Sequence, residues 1–259
     1  MLSDKDKQVI INIAQEAGRL IMQYYHSENN EVQYKKDDSP VTLADKASHQ
    51  YIVSGIKQLN KQYPIISEED KNVLTYEQRK DWDSFWLVDP LDGTKEFIKG
   101  DQDFTVNIAF VYQNKPYWGV VYAPARQWLY YGGIEDESIV IKGSVTQKLP
   151  IKEYLNREDI IAVKSKSHSS SLEDEFFKSC GVTKAVSMGS SLKFCLVAEG
   201  RADIYYRSGP TWEWDTAAAH SVVMGAKGIV YNGISQTPLD YNKESLKNED
   251  GFLCRRGRA

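Results

Sequence analysis

Three separated stretches of this sequence hold acidic residues at spacings that could gather a divalent cation. They are ISEED (66–70), WLVDPLDGTKEF (86–97) and WEWDTAAAH (212–220). In the middle stretch an apolar strand ends in Asp89, and Asp92 follows across Pro90 and Leu91. Pro90 fixes its own backbone torsion and removes a donor, while Gly93 permits a tight turn. Such a turn can aim two carboxylates and the Leu91 carbonyl into one space. All are hard oxygen donors of the kind Mg²⁺ takes, together with water and substrate phosphate. Each stretch alone has a plainer reading. DPLDG can be a polar turn closing a strand, Glu68–Asp70 a solvated loop, and Asp215 the N-cap of a helix that begins at Thr216. Together they differ, because converging carboxylates repel: two unit charges about 4 Å apart cost about 4 kcal/mol at an effective dielectric of about 20. A purely structural cluster is disfavoured.

The elements that must position these groups are legible from periodicity. Val9, Ile10, Ile13, Ala14, Ala17, Leu20, Ile21 and Tyr24 predict an amphipathic helix over 7–25. A polar stretch ends in Pro40, and Ser48, Ile52, Ile56 and Leu59 predict a second helix that stops before Pro64. Pro64–Ile66 and Phe85–Val88 read as short strands, each ending in acidic residues. From Phe104 to Tyr131 the β-branched and aromatic runs FTVNIAFVY, PYWGVVYA and QWLYYGG predict antiparallel strands, with a fourth over Ser138–Lys142. After Pro150 strands (IIAVK, Lys184–Ser187, ADIYY, GIVY) alternate with helices (Leu172–Lys178, Ser191–Ala198, Thr216–Met224), which implies a second sheet layered with helices. The best division falls near Leu149–Asn156. It separates an N-terminal α+β part, 1–150, holding the first two acidic motifs, from a C-terminal α/β part, 151–259, that closes the site.

DPLDGTKEF resembles the D-P-x-D-G-T signature of the inositol monophosphatase superfamily. SEED is similar to that family's acidic metal motif, and WDTAAA to its C-terminal signature, in the same order and spacing. Within the superfamily, KEF after DGT, FTVNIA, GVVYAP and GSSLKFCLVAEG resemble the CysQ-type 3′(2′),5′-bisphosphate nucleotidases more than the inositol monophosphatases. The resemblance implies an α/β fold, a five-layer α/β/α/β/α sandwich of the inositol monophosphatase and fructose-1,6-bisphosphatase type. It also implies two or three Mg²⁺ ions held by Glu68, Asp89, the Leu91 carbonyl, Asp92 and Asp215.

By the same resemblance Asp45, Thr94 and Glu68 are catalytic, with Asp45 accepting a hydrogen bond from Thr94, whose hydroxyl orients the attacking water. The residues alone allow another reading, since Thr42-x-x-Asp45 is close to a capping box opening the Ala44–Leu59 helix. One residue can serve both roles. The implied substrate contacts are Gly93, Thr94, Ser165, His168, Gly189, Lys193 and Asp215. Physically, a Gly-Ser turn before the 191–198 helix offers backbone N–H groups to an anion, and Lys193 adds a point charge. The plainer alternatives are an ordinary helix cap, a solvated lysine and a surface-loop histidine. Tyr205, Tyr206, Arg207, Trp212 and Trp214 read as core or strand-end residues outside the site, and Arg255–Arg258 as a solvated end.

Composition narrows the field. In 259 residues, 41% are hydrophobic and 26% charged, ordinary for a globular protein with a sizeable core. The net charge of −4 argues against binding a nucleic-acid polymer, whereas a small anion remains possible if a metal supplies the positive charge. Cys180, Cys195 and Cys254 form no CxxC and read as reduced thiols. No stretch reaches the roughly 18 apolar residues of a membrane span. The expectation is therefore a cytoplasmic enzyme, or one peripheral at the inner face of the membrane. Its partner is a small phosphorylated nucleotide, and its oligomeric state is unreadable. The implied reaction is removal of the 3′-phosphate of adenosine 3′,5′-bisphosphate in sulfur metabolism. The alternatives are an inositol monophosphatase or broad sugar phosphatase, and a non-catalytic metal or nucleotide sensor.

Overall fold

A computed structural model describes residues 2–27, 32–34, 40–70, 74–152, 158–167 and 170–257. Helix α1 (Asp4–Tyr24) opens on a capping box in which the Ser3 hydroxyl and the Asp6 carboxylate exchange bonds with each other's backbone N–H. Strands β1 (Val32–Tyr34) and β2 (Pro40–Thr42) form a small antiparallel pair ahead of α2 (Leu43–Ile56). Then come β3 (Ile65–Ser67), the short α3 (Tyr76–Arg79), β4 (Ser84–Asp92) and α4 (Thr94–Ile98). A meander follows through β5 (Thr105–Tyr112), β6 (Lys115–Ala123), β7 (Trp128–Gly133), β8 (Ile139–Lys142) and β9 (Val145–Lys148).

These strands make a seven-stranded sheet in the order β3-β4-β5-β6-β7-β8-β9, with β3 parallel to β4 and the rest antiparallel. The β5–β6 hairpin turns on Gln113 and Asn114, both at positive φ (47° and 60°). That geometry suits the right-handed twist of the flanking strands.

The second half contains β10 (Ile161–Ser165), α5 (Ser171–Ser179), β11 (Lys184–Met188), α6 (Leu192–Glu199), β12 (Ile204–Arg207), β13 (Thr211–Trp212) and α7 (Glu213–Gly225). It ends with β14 (Ile229–Asn232), β15 (Lys247–Asn248) and β16 (Phe252–Arg255). A five-stranded sheet runs β11-β10-β12-β16-β14, its first three strands parallel.

Helices α1 and α2 pack on one face of the seven-stranded sheet, and α7 lies across β4 to β7 on the other. Helix α6 packs beside α7 and against β10, β12 and β16, while α5 covers the far face through Phe177, Ala162, Ile204 and Leu253. The layers are thus α/β/α/β/α. One apolar cluster runs between the sheets, from Phe85, Leu87 and Val121 to Phe194, Ala218, Val222 and Cys254. Strand β4 is buried at every position from Phe85 to Leu91, as expected of a strand covered on both faces.

Two sequence expectations need correction. Of the chain end expected to be solvated, Arg255 is exposed but belongs to a strand, and Arg256 is tied down. Residues 252–255 form β16 between β12 and β14, Cys254 is fully buried, and Arg256 pairs with Asp203; Arg258 lies outside the described residues. The meander also continues by one strand, β9, beyond the four foreseen.

Candidate active site

The ladder between β4 and β5 shifts register between Asp89 and Asp92. Such an irregularity re-aims side chains at the end of a strand. Pro90 lacks the N–H that a ladder would need, and Gly93 takes φ +89°. A Cβ on Gly93 would stand 2.9 Å from the Asp103 carbonyl oxygen, so a side chain there is excluded by space as well as by backbone torsion. Asp89 is 1% exposed, and its Oδ1 accepts the Leu91 N–H at 3.1 Å. Because β3 is parallel to β4, the Glu68 N–H donates to the Val88 carbonyl at 3.1 Å, which brings Glu68 beside the same strand end. Asp215 lies in the first turn of α7, its Oδ2 accepting the Trp212 N–H at 2.8 Å. Glu68, Asp89, Asp92 and Asp215 line one cleft of about 380 Å³, together with Leu91, Gly93 and Thr94.

Burial is the main force on these acids. It raises the Asp89 carboxyl well above its usual range, and Glu68, Asp92 and Asp215 raise it further. Asp215 is raised well above its range by burial, then by Asp92 and Glu68. Asp92 is also raised by burial, but Lys193 and donors from Ser190 and Ser191 oppose this. Buried carboxylates left so little compensated are a fit for a bound cation, and their donor set of carboxylates plus the Leu91 carbonyl suits Mg²⁺. Among the described residues no three acidic, imidazole or thiol groups already form a metal cage.

Asp45 is 2% exposed and uses its two oxygens differently. Oδ2 accepts the N–H and the hydroxyl of Thr42, at 2.7 and 2.6 Å, as the cap of α2. Oδ1 faces the Thr94 hydroxyl at 3.3 Å. That hydroxyl has a second acceptor within reach, the Leu91 carbonyl at 3.2 Å. Burial pushes the Asp45 carboxyl up to about 7, against the lowering effect of Thr42.

The residues expected at the substrate divide. Ser165 and Lys193 line the cleft. Lys193 is 7% exposed; its Nζ donates to the Ser190 carbonyl at 2.6 Å and stands 5.4 Å from the Tyr205 ring centroid. His168 lies outside the described residues. The expected free amides of the Gly-Ser turn are a correction. The Gly189 N–H donates to Asp103 Oδ2 at 2.9 Å and the Ser191 N–H to Asp92 Oδ2 at 2.7 Å, so neither is open to a ligand. Gly189 sits behind the cleft, where a Cβ would come within 2.7 Å of the Asp103 Cβ.

Sequence reasoning missed Tyr205, Arg207 and Trp212, which line the cleft. Trp212 stacks on Trp214 at 4.8 Å and 9°. A signal was available: Ser165, Met188 and Arg207 end three adjacent parallel strands, and ligands in open α/β sheets gather at such carboxyl ends.

Residues 3–251 match the family model for the inositol monophosphatase family. The chain is 43% identical over 241 residues to the 3′(2′),5′-bisphosphate nucleotidase CysQ of Salmonella typhimurium, covering 92% of this chain and 95% of that one. The corresponding protein of Escherichia coli K12 is 42% identical with the same coverage. Among solved structures, CysQ from Bacteroides thetaiotaomicron superposes with a TM-score of 0.87 at 36% identity over 98% of both chains.

Proposed function

This chain belongs to the inositol monophosphatase family, and from that membership and its cleft we propose that it is a Mg²⁺-dependent phosphomonoester hydrolase, a 3′(2′),5′-bisphosphate nucleotidase. Its substrate on this reading is adenosine 3′,5′-bisphosphate, and its products are AMP and phosphate. The observation that supports this best is the polarity of one cleft: Glu68, Asp89, Asp92 and Asp215 together with Lys193 and Arg207. An acidic cluster suits a metal-bound scissile phosphate, and two cations suit a second phosphate. The names of the Salmonella and Escherichia relatives point the same way. An inositol monophosphate has no second anion for Lys193 and Arg207 to meet, which leaves the inositol reading less supported. A role as a non-catalytic sensor leaves the Asp45–Thr94 contact without a purpose.

Glu68, Asp89, Asp92, Asp215 and the Leu91 carbonyl would hold two or three Mg²⁺ ions, whose chemistry is to acidify a water and stabilise charge on the leaving oxygen. Thr94 Oγ1 orients the attacking water by accepting from it. Asp45 Oδ1 accepts the Thr94 hydroxyl and is the sink for the proton released as the water oxygen bonds to phosphorus. The bond to the ribose 3′-oxygen breaks on the opposite side, and that oxygen takes a proton from solvent water to give AMP. A base near neutral pKa is matched to this task, and burial, the largest effect on Asp45, raises its carboxyl in that direction. On this reading the enzyme acts in the cytoplasm, in sulfur metabolism; no described helix is long and apolar enough to cross a membrane.

Following the bisphosphate by ³¹P NMR with Mg²⁺ and with chelator tests the assignment. The expected product is 5′-AMP, formed only with metal. Formation of 3′-AMP, or undiminished turnover under chelation, contradicts it.

A further inference from the structure

Asp103 belongs to none of the acidic motifs, yet its side chain is wholly buried at the junction between the two halves of the site. Its main chain packs against the Asp89–Thr94 turn, since the Asp103 carbonyl oxygen lies 2.9 Å from where a Cβ on Gly93 would be. Its side chain turns the other way. Oδ2 accepts the Gly189 N–H at 2.9 Å and pairs with Lys166 Nζ at 2.6 Å, while Oδ1 accepts Arg126 Nε at 2.8 Å. Gly189 immediately precedes Ser190, which lines the cleft and whose hydroxyl donates to Asp92 at 2.5 Å. Lys166 immediately follows Ser165, another cleft residue. The same rim has two further ties, from Lys166 to Asp101 at 2.8 Å and from the Ser167 hydroxyl to Glu96 at 2.5 Å.

We propose that Asp103 is a positioning residue that sets the distance between the Asp89–Thr94 turn and the two loops, 165–167 and 189–191, on the nucleotide side of the cleft. Lys166 is its tether to the first loop and the Gly189 amide its tether to the second. The geometry favours this over a purely structural ion pair. Of its three partners, two belong to the loops that carry cleft residues, and Arg126, stacked 5.0 Å over Trp128, anchors the carboxylate from the β6–β7 turn. A second phosphate is bound in register with the scissile one only if these loops hold a fixed distance from the turn.

The kinetic test rests on the nucleotidase reading, so it is joined to a measurement that does not. Asp103→Asn, Lys166→Met and Lys166→Arg are compared with wild type by melting temperature, by amide hydrogen exchange, and by kcat and KM on adenosine 3′,5′-bisphosphate and on a small phosphate monoester. Asp103→Asn should speed exchange at least about tenfold in both 165–167 and 189–191, and Lys166→Met in the first loop only. In Lys166→Met, KM for the bisphosphate should rise about tenfold with kcat held, as expected when uniform binding is lost. The monoester should lose less, and Lys166→Arg should restore the ratio. If Asp103→Asn fails to fold, the Lys166 pair decides alone. Folded variants with wild-type exchange in both loops and a wild-type substrate ratio overturn the proposal. A wild-type protein inert toward the bisphosphate overturns the nucleotidase reading instead, and the exchange data then judge Asp103 by themselves.

Discussion

Asp45 presents one carboxylate oxygen to Thr42 as a helix cap and the other to the Thr94 hydroxyl, at 2.6 and 3.3 Å respectively. The cap fixes the carboxyl plane, and fixing that plane aims the free oxygen at Thr94. On the proposed mechanism the helix cap and the base are the same side chain, using different oxygen atoms.

The pair should therefore behave as a unit. Asp45→Asn and Thr94→Ala should each lower kcat by about 10²–10⁴-fold, the usual worth of general-base assistance. The double variant should be little worse than either single one, since residues acting together are non-additive. Asn can still accept from Thr42, so the melting temperature should change little in Asp45→Asn. A stable Asp45→Asn protein with full turnover would reduce Asp45 to a cap.

The acidic cluster should trade stability for function. Asp89 is raised by burial and by three acidic neighbours. Asp89→Asn removes a buried carboxyl that folds only at a cost in its ionised form, so the metal-free protein should melt at a higher temperature while Mg²⁺-dependent turnover falls by several orders of magnitude. Calorimetry in chelator beside a phosphate-release assay reads both. A variant that melts lower in chelator would show that Asp89 is compensated in the folded chain.

Stability should also couple Mg²⁺ to pH. Asp45, Asp89 and Asp215 all have raised folded values, Asp45 at about 7. Such groups hold protons more tightly when folded. Their contribution to the metal-free protein is fully present below the ordinary carboxylate range, about 4, and is lost as pH rises through the raised values. Mg²⁺ replaces the protons on Asp89 and Asp215, so the gain in melting temperature on adding Mg²⁺ should grow as pH rises. His220, buried and lowered to about 3, costs stability below its ordinary value of 6.5. It does so with or without metal and cancels from the difference. A gain that shrinks with pH would contradict this linkage.

The DPLDGT turn was legible because every device it uses is local: a strand end, a proline without a donor, and a glycine that must take positive φ. The layered fold followed from strand–helix alternation. Other features depend on pairings that local pattern does not encode. Strand β16 is four residues long and lies between strands that precede it in the chain, so it has too little length to show a period. Arg207 and Tyr205 share a face of β12 by simple alternation and resemble strand-end residues until the second sheet is assembled. Asp103 finds its partners 23 and 86 residues away, at Arg126 and Gly189. The Gly189 and Ser191 amides were misread as open because their acceptors, Asp103 and Asp92, come from the other half of the chain.

Arg207, whose guanidinium pairs with Glu173 at 3.8 Å, lines the cleft apart from the Lys193–Ser190 contact and probes binding of the second phosphate separately. Arg207→Ala should raise KM for adenosine 3′,5′-bisphosphate about tenfold or more with kcat near wild type, the signature of lost uniform binding. KM for a small monophosphate should barely move. An equal effect on both substrates would assign Arg207 to the scissile phosphate or to the fold.

The central claim is that the cleft binds two phosphates, one over the acidic cluster and one against Lys193 and Arg207. Its most direct test is the ratio of kcat/KM for adenosine 3′,5′-bisphosphate to that for inositol monophosphate, measured at saturating Mg²⁺. A site that offers two cations to a second phosphate, and nothing comparable to the smaller substrate, should discriminate by about 10²-fold or more. A ratio near one, or one favouring inositol monophosphate, would contradict it.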